Sequence, residues 1–325
     1  DLFPLSEKAS LVLSRSPMGR FSGNLNSLLR YPYGCLEQTV STAFPQLYFR
    51  DLVQLISAKN GAGTSAGTPD YNVQQAIYKV ESQQLYNGGF SLWENGGNAD
   101  WWASAYATQF LMECRKAGFE IQEKVLEGGL RYLEQKVKER ESSTWFYREN
   151  NIQKSRTVPR QEIFYSLYVL ALADRASIPS MNYYKSMLTQ LTPESKYLLA
   201  ASYLLAGDRK SYQSVLPRVF GNEKAEAATG GYYGSYLRDL ALSANALLEA
   251  DPNNPQAAEL IRLITAQMGG SHSNLYTTQE NAFALLAIGK QARRSAASTV
   301  TASVSINGKQ AAQFSGSDMR LVNSL

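Results

Sequence analysis

Glycine and proline breakers cut residues 24–292 into about a dozen segments, each of helical length. The segments lie near 24–30, 35–58, 70–85, 99–117, 121–140, 160–175, 180–190, 194–206, 208–217, 235–250, 255–268 and 277–292. The breaks fall at Asn60 to Pro69, Gly88-Gly89, Gly118, Pro179, Pro193, Gly207, Gly230-Gly231, Pro252 to Pro255 and Gly269-Gly270. A chain divided this way has few ways to bury apolar surface except by packing helix on helix.

The segments are of two kinds. Segment 121–140 carries Glu123, Lys124, Arg131, Glu134, Lys136 and Lys138 around an apolar stripe, as an outer helix would. Others are apolar on more than one side and share a small residue followed by bulky ones: Ala107 to Leu111, Ala201 to Leu205, Ala244 to Leu248 and Ala282 to Leu286. Their uneven spacing argues against a strict superhelical repeat. Six inner and six outer helices would make a mainly α protein, an (α/α)6 toroid; an irregular helical solenoid is the alternative.

The ends read differently. Residues 9–14 look like a short strand, and Val300, Ala302, Val304 and Ile306 alternate with polar residues before the turn signal Asn307-Gly308. The expected organisation is a strand and linker over 1–20, the toroid over 21–295, and strands of the same flanking β domain over 296–325. The start, Asp1-Leu2-Phe3-Pro4, has no signal-peptide pattern and reads as an interior piece of a longer protein.

Composition removes several function classes. The formal charge of +4 is spread without a block of like charge, so nucleic acid is a poor partner. Two cysteines and one histidine exclude a disulfide framework, a four-cysteine metal site and a His-rich zinc site, and no cofactor or metal is expected. No apolar run approaches the roughly 18 to 20 residues of a membrane span.

The chemistry concentrates in Tyr31-Pro32-Tyr33-Gly34-Cys35-Leu36-Glu37-Gln38-Thr39. Pro32 fixes the approach and Gly34 can take a positive φ, which delivers Cys35 to a helix start. Cys35 and Gln38 then share one face of the first turn. Exposed N–H groups there would lower the thiol's pKa. A Cys35 thiolate attacking the Gln38 amide would expel ammonia and leave an internal thioester. Glu37, one position off that face, caps or orients rather than reacts. Pro45 should kink or end the helix. A buried, unreactive Cys35 and a Cys35–Cys114 disulfide are the bland alternatives; Cys114 sits among Phe110, Leu111 and Met112 and reads as core.

This segment resembles the thioester motif of the α2-macroglobulin and complement family, whose core Gly-Cys-X-Glu-Gln stands here as Gly34-Cys35-Leu36-Glu37-Gln38. With Ser41 and Phe44-Pro45 after it, the string looks like the bacterial branch. Thr277-Thr278-Gln279-Glu280-Asn281 and the helix it opens are similar to a later stretch of the same domain, and the resemblance covers roughly residues 11–295. It implies an (α/α)6 thioester domain inserted between strands of a β domain. It also implies a single-use covalent trap in an extracytoplasmic protease inhibitor, not a turnover enzyme. The expected partners are target proteases, joined through lysine amines, and other domains of the same full-length chain.

Complement-like members direct the acyl group to hydroxyls with a histidine about 110 to 120 residues after the cysteine. That stretch here holds Asn150 and Asn151, while the one histidine, His272, lies far downstream and reads as a loop residue. Amine capture is the expectation that follows. Tyr31 and Tyr33 are the foremost candidates to shield the bond, with Trp93, Trp101, Trp102, Tyr232, Tyr233 and Tyr276 as further aromatic covers in loops. Two rival readings are a degenerate domain serving only as an interaction module and an α/α-toroid carbohydrate-active enzyme using loop carboxylates such as Glu94 and Asp100.

Overall fold

The protein is described from a computed structural model, covering residues 10–13, 34–48, 68–226, 234–269, 276–295, 302–306, 309–314 and 320–323. Eleven α-helices occur among the described residues: α1 Leu36–Tyr48, α2 Pro69–Ser82, α3 Trp101–Lys116, α4 Glu123–Lys136, α5 Gln161–Leu172, α6 Ile178–Lys185, α7 Pro193–Leu205, α8 Arg209–Val215, α9 Tyr236–Ala250, α10 Pro255–Met268 and α11 Thr278–Ser295. The sequence punctuation explains these boundaries. Pro69, Pro193 and Pro255 stand in the first turns of α2, α7 and α10, where a missing N–H costs nothing. Gly118 and Gly207 take positive φ just after α3 and α7.

The odd-numbered helices form a closed ring, α1 against α3, α3 against α5, and so on through α11, which packs back on α1. The even-numbered helices pack outside it. This is the expected toroid, with six inner and, among the described residues, five outer helices. Inner helices are apolar nearly all round: Ile163 to Ala171 of α5 are buried without a break. The four repeated small-then-bulky stretches all fall on inner helices, α3, α7, α9 and α11. Outer α4 buries one stripe, Val125, Leu126, Leu130 and Leu133. Aromatics fill the ring's centre. Phe44 stacks on Tyr106 at 5.5 Å, Tyr106 meets Phe283 at 4.9 Å, and Trp102 stacks on Tyr165 at 4.7 Å.

Because inner and outer helices alternate, the inner six run parallel and their N-termini share one end. Hydrogen bonds tie that end together. Trp101 Nε1 donates to Ser166, Gln161 Nε2 donates to Glu194 at 2.5 Å, and the buried Arg238 guanidinium donates to Gln161 Oε1 at 3.4 Å and to its own neighbour Asp239 at 2.9 Å. Burial pushes the carboxyls of Glu194 and Asp239 upward, and the Arg238 charge pulls both back.

One feature departs from the sequence reading. Residues 142–159, between segments 121–140 and 160–175, form an antiparallel hairpin of β2 Ser142–Glu149 and β3 Ile152–Pro159, joined by the two-residue turn Asn150-Asn151 with φ of +51° and +63°. A short β4, Lys224–Ala225, extends it, and Trp145, Tyr147, Val158 and Ala225 make a small separate core. Helix α1 runs through Pro45 to Tyr48, so Pro45 does not end it. At the ends, β1 Ser10–Leu13 pairs antiparallel with β7 Arg320–Asn323, placing Leu13 opposite Arg320. Strands β5 Ala302–Ile306 and β6 Lys309–Phe314 pair with each other. Segment 24–30 and His272 lie outside the described residues.

Candidate functional site

Helix α1 begins at the turn that the motif anticipates. Gly34 has φ +104°, and the Cys35 carbonyl accepts the first helical bond, from Thr39 N–H at 2.9 Å. Leu36 N–H, left without a helical partner by its position, donates to the Leu92 carbonyl at 2.8 Å. The Gln38 side chain folds back over this turn, and its Oε1 accepts from the Cys35 N–H at 3.2 Å. A Cβ on Gly34 would lie 2.0 Å from that Oε1 and 3.0 Å from the carboxamide carbon. Only glycine leaves room for the carboxamide here. Across the turn, Lys79 of α2 donates to the Gly34 carbonyl at 2.7 Å. Cys35 is buried at 8% exposure, whereas Gly34 and Gln38 are exposed. Gln38 thus lies on the solvent side of the turn and Cys35 on its buried side.

Glu37 points the other way, into the protein. Its carboxylate accepts from Ser41 Oγ at 2.6 Å and, at 3.4 Å, from the hydroxyl of Thr278 at the start of α11. Ser41 in turn shares a hydrogen bond with Tyr106 of α3. Glu37 therefore orients α1 against its two ring neighbours, and the Thr277–Asn281 stretch meets the thioester motif through it. Burial holds its carboxyl above the usual range, and the Ser41 and Thr278 bonds pull it back.

The thiol differs from the sequence expectation. Burial pushes Cys35 above the ordinary thiol value, and the nearby Glu37 charge adds to that rise. The backbone N–H groups of Gln38 and Glu37 act in the opposite direction but do not prevail. Desolvation outweighs the helix terminus. Replacing Glu37 with Gln keeps an acceptor for Ser41 and removes the charge. The pH midpoint for iodoacetamide alkylation of free Cys35 is expected to fall in Glu37→Gln, and an unmoved midpoint would exclude the Glu37 contribution.

Several nominated residues do other work. Trp101 and Trp102 open α3 and are buried in the core at 5% and 3% exposure, so they are not loop covers. Trp93, next to Leu92, is 60% exposed. Tyr276 donates to the Gln267 carbonyl at 2.8 Å. Tyr31, Tyr33, Tyr232 and Tyr233 lie outside the described residues. Asp100 caps α3 by accepting from Ala103 N–H at 2.7 Å, and Glu94 is exposed. No disulfide joins Cys35 to Cys114, and Cys114 is wholly buried. Among the described residues no group of three His, Cys, Asp or Glu side chains could hold a metal. Sequence reasoning misses Lys79, Leu92 and Thr278 as partners of the motif; each comes from a distant part of the chain, and no local pattern marks it.

A family model described as the A-macroglobulin TED domain matches residues 9–213, more than half of the chain. The chain belongs to this family of thioester domains. The TED match is accompanied by whole-protein relatives. An alpha-2-macroglobulin of Xylella fastidiosa strain Temecula1 is 29% identical over 249 residues, 74% of this chain and 14% of that protein. One from Escherichia coli K12 is 34% identical over 135 residues, 40% of this chain and 8% of the relative. A mutant Salmonella alpha-2-macroglobulin matches in structure with TM-score 0.71 and 25% identity, over 99% of this chain and 20% of that one. The TED chain thus spans a small part of the proteins it matches.

Proposed function

We propose that Cys35 and Gln38 close into an internal thioester that captures amines. The observation that carries this reading is the Gln38 carboxamide folded onto the Gly34–Cys35 peptide, with Oε1 held by the Cys35 N–H. In the closing step the Cys35 sulfur bonds to the Gln38 side-chain carbonyl carbon and ammonia leaves. In the opening step an amine nitrogen bonds to that carbon, the carbon–sulfur bond breaks, and the amine's proton passes to the sulfur. The Cys35 N–H stands where negative charge develops on the carbonyl oxygen, as an oxyanion donor would. Each chain reacts once.

In a full-length alpha-2-macroglobulin-like inhibitor, proteolysis elsewhere would expose the bond, and a lysine of the attacking protease would be acylated at Gln38. The family relationship supports this reading, as does the stretch complement uses for its histidine. Here that stretch is the β2–β3 hairpin with Asn150-Asn151 at its tip. Tyr31 and Tyr33, a few residues before Cys35, are the proposed shields. The β1–β7 pairing supports a flanking β domain interrupted by the toroid. Such a trap belongs outside the cytoplasm, and no helix among the described residues is long and apolar enough to cross a membrane.

Intact mass tests the reading. The chain is expected about 17 Da light, and methylamine should add about 31 Da at Gln38 while freeing one titratable thiol at Cys35. A chain of full mass with Cys35 already free and no methylamine uptake would sink it.

A further inference from the structure

Building on the thioester reading, we infer that Lys79 is a positioning residue for acyl transfer, polarising the Gly34–Cys35 peptide so that the Cys35 N–H grips the acyl carbonyl of Gln38 more strongly. Three groups stand in series. Lys79 Nζ donates to the Gly34 oxygen at 2.7 Å, and the N–H of that same peptide unit donates to Gln38 Oε1 at 3.2 Å. A peptide is conjugated from oxygen to nitrogen. A cationic donor on its oxygen draws electron density from nitrogen and makes the N–H more acidic, so the second hydrogen bond strengthens with the first. Charge-assisted hydrogen bonds are also roughly twice as strong as neutral ones.

The strengthened bond acts at the right atom. Oε1 of Gln38 remains the carbonyl oxygen in the thioester and becomes the oxyanion when an amine adds. Lys79 gives and takes no proton in that step: the amine's proton still goes to the Cys35 sulfur. Lys79 sits on a helix anchored in the core. It is half-buried on α2, whose Ala76, Ile77 and Val80 are wholly buried. The buried face fixes the helix beside the turn, and the 2.7 Å bond places the ammonium on the Gly34 oxygen.

Lys79→Met and Lys79→Arg test this with two readouts in the intact chain. One is the Cys35 amide proton by NMR, which reports the polarised peptide whether or not the ring has closed. The other is the rate of thiol release by methylamine. In Lys79→Met the amide proton is expected to move upfield and release to slow about tenfold, with Lys79→Arg returning both most of the way. A Met variant with the wild-type amide shift overturns the inference, even if it reacts slowly, because loosening of the turn alone would then explain the rate. So does a mass-light wild type with free Cys35, no methylamine uptake and a Lys79–Gln38 isopeptide found by peptide mapping, since Lys79 would then itself have been acylated. A wild-type chain of full mass would instead reject the thioester, and the amide shift would still decide whether Lys79 polarises the peptide.

Discussion

Replacing Cys35 with alanine is expected to abolish methylamine uptake completely and to return the chain to its full mass. The substitution removes the only sulfur on the turn that holds Gln38. Cys114, the other cysteine, is wholly buried on α3 and has no access to the carboxamide's exposed face. The fold should survive. Cys35 lies at the helix start, where the contacts that fix the turn are made by backbone atoms: Cys35 carbonyl to Thr39, Leu36 N–H to Leu92, Gly34 carbonyl to Lys79. Losing one thiol from this position costs on the order of 1 kcal/mol. Denaturant midpoints of wild type and Cys35→Ala should therefore nearly coincide while reactivity disappears. Uptake that persisted in the variant would place the acyl donor elsewhere.

Gly34→Ala is expected to be almost as damaging to the chemistry, for a geometric reason. At φ +104° a residue with a side chain is strained by about 1–3 kcal/mol. The added methyl would also stand 2.0 Å from Gln38 Oε1, so the carboxamide has to leave. Once it leaves, the Cys35 N–H loses its acceptor and the acyl carbon is no longer beside the sulfur. Each 1.4 kcal/mol of lost alignment is about a factor of ten in rate. The methylamine-releasable thiol should drop at least tenfold, measured by thiol titration before and after treatment. A Gly34→Ala chain still light by the mass of ammonia would show that the close approach is dispensable.

How much of this is readable from residues alone varies with the range of the interaction. Helices are legible because their ends are local: Pro255 starts α10 and Gly118 follows α3, and both act through their own backbone. The Cys35 and Gln38 pairing is legible because three residues on a helix is a fixed geometry. Glu37's orienting role follows from the same periodicity, though its partner Thr278 does not, since only ring closure brings α11 beside α1. The thiol's pKa is misjudged from sequence because a helix terminus is visible there and burial is not. The hairpin goes unread although Asn150-Asn151 between alternating residues is a local signal. That stretch draws attention for the histidine it lacks, not for the turn it holds. Trp101 and Trp102 are named as loop covers although they fall in the helical segment 99–117, and only packing shows them turned inward against Ser166 and Tyr165.

The pairing of β1 with β7 also bears on how such a chain can be assembled. Leu13 and Arg320 face each other across one antiparallel pair, a separation of about 5 Å. Everything between them, the toroid together with the β5–β6 pair, begins and ends at neighbouring points. A two-residue hairpin turn spans that same gap. The intervening chain, toroid and β5–β6 pair alike, could therefore be replaced by a short turn or a different unit without changing where β1 and β7 lie. In this sense the intervening chain is a removable cartridge, and the strand pair is its socket.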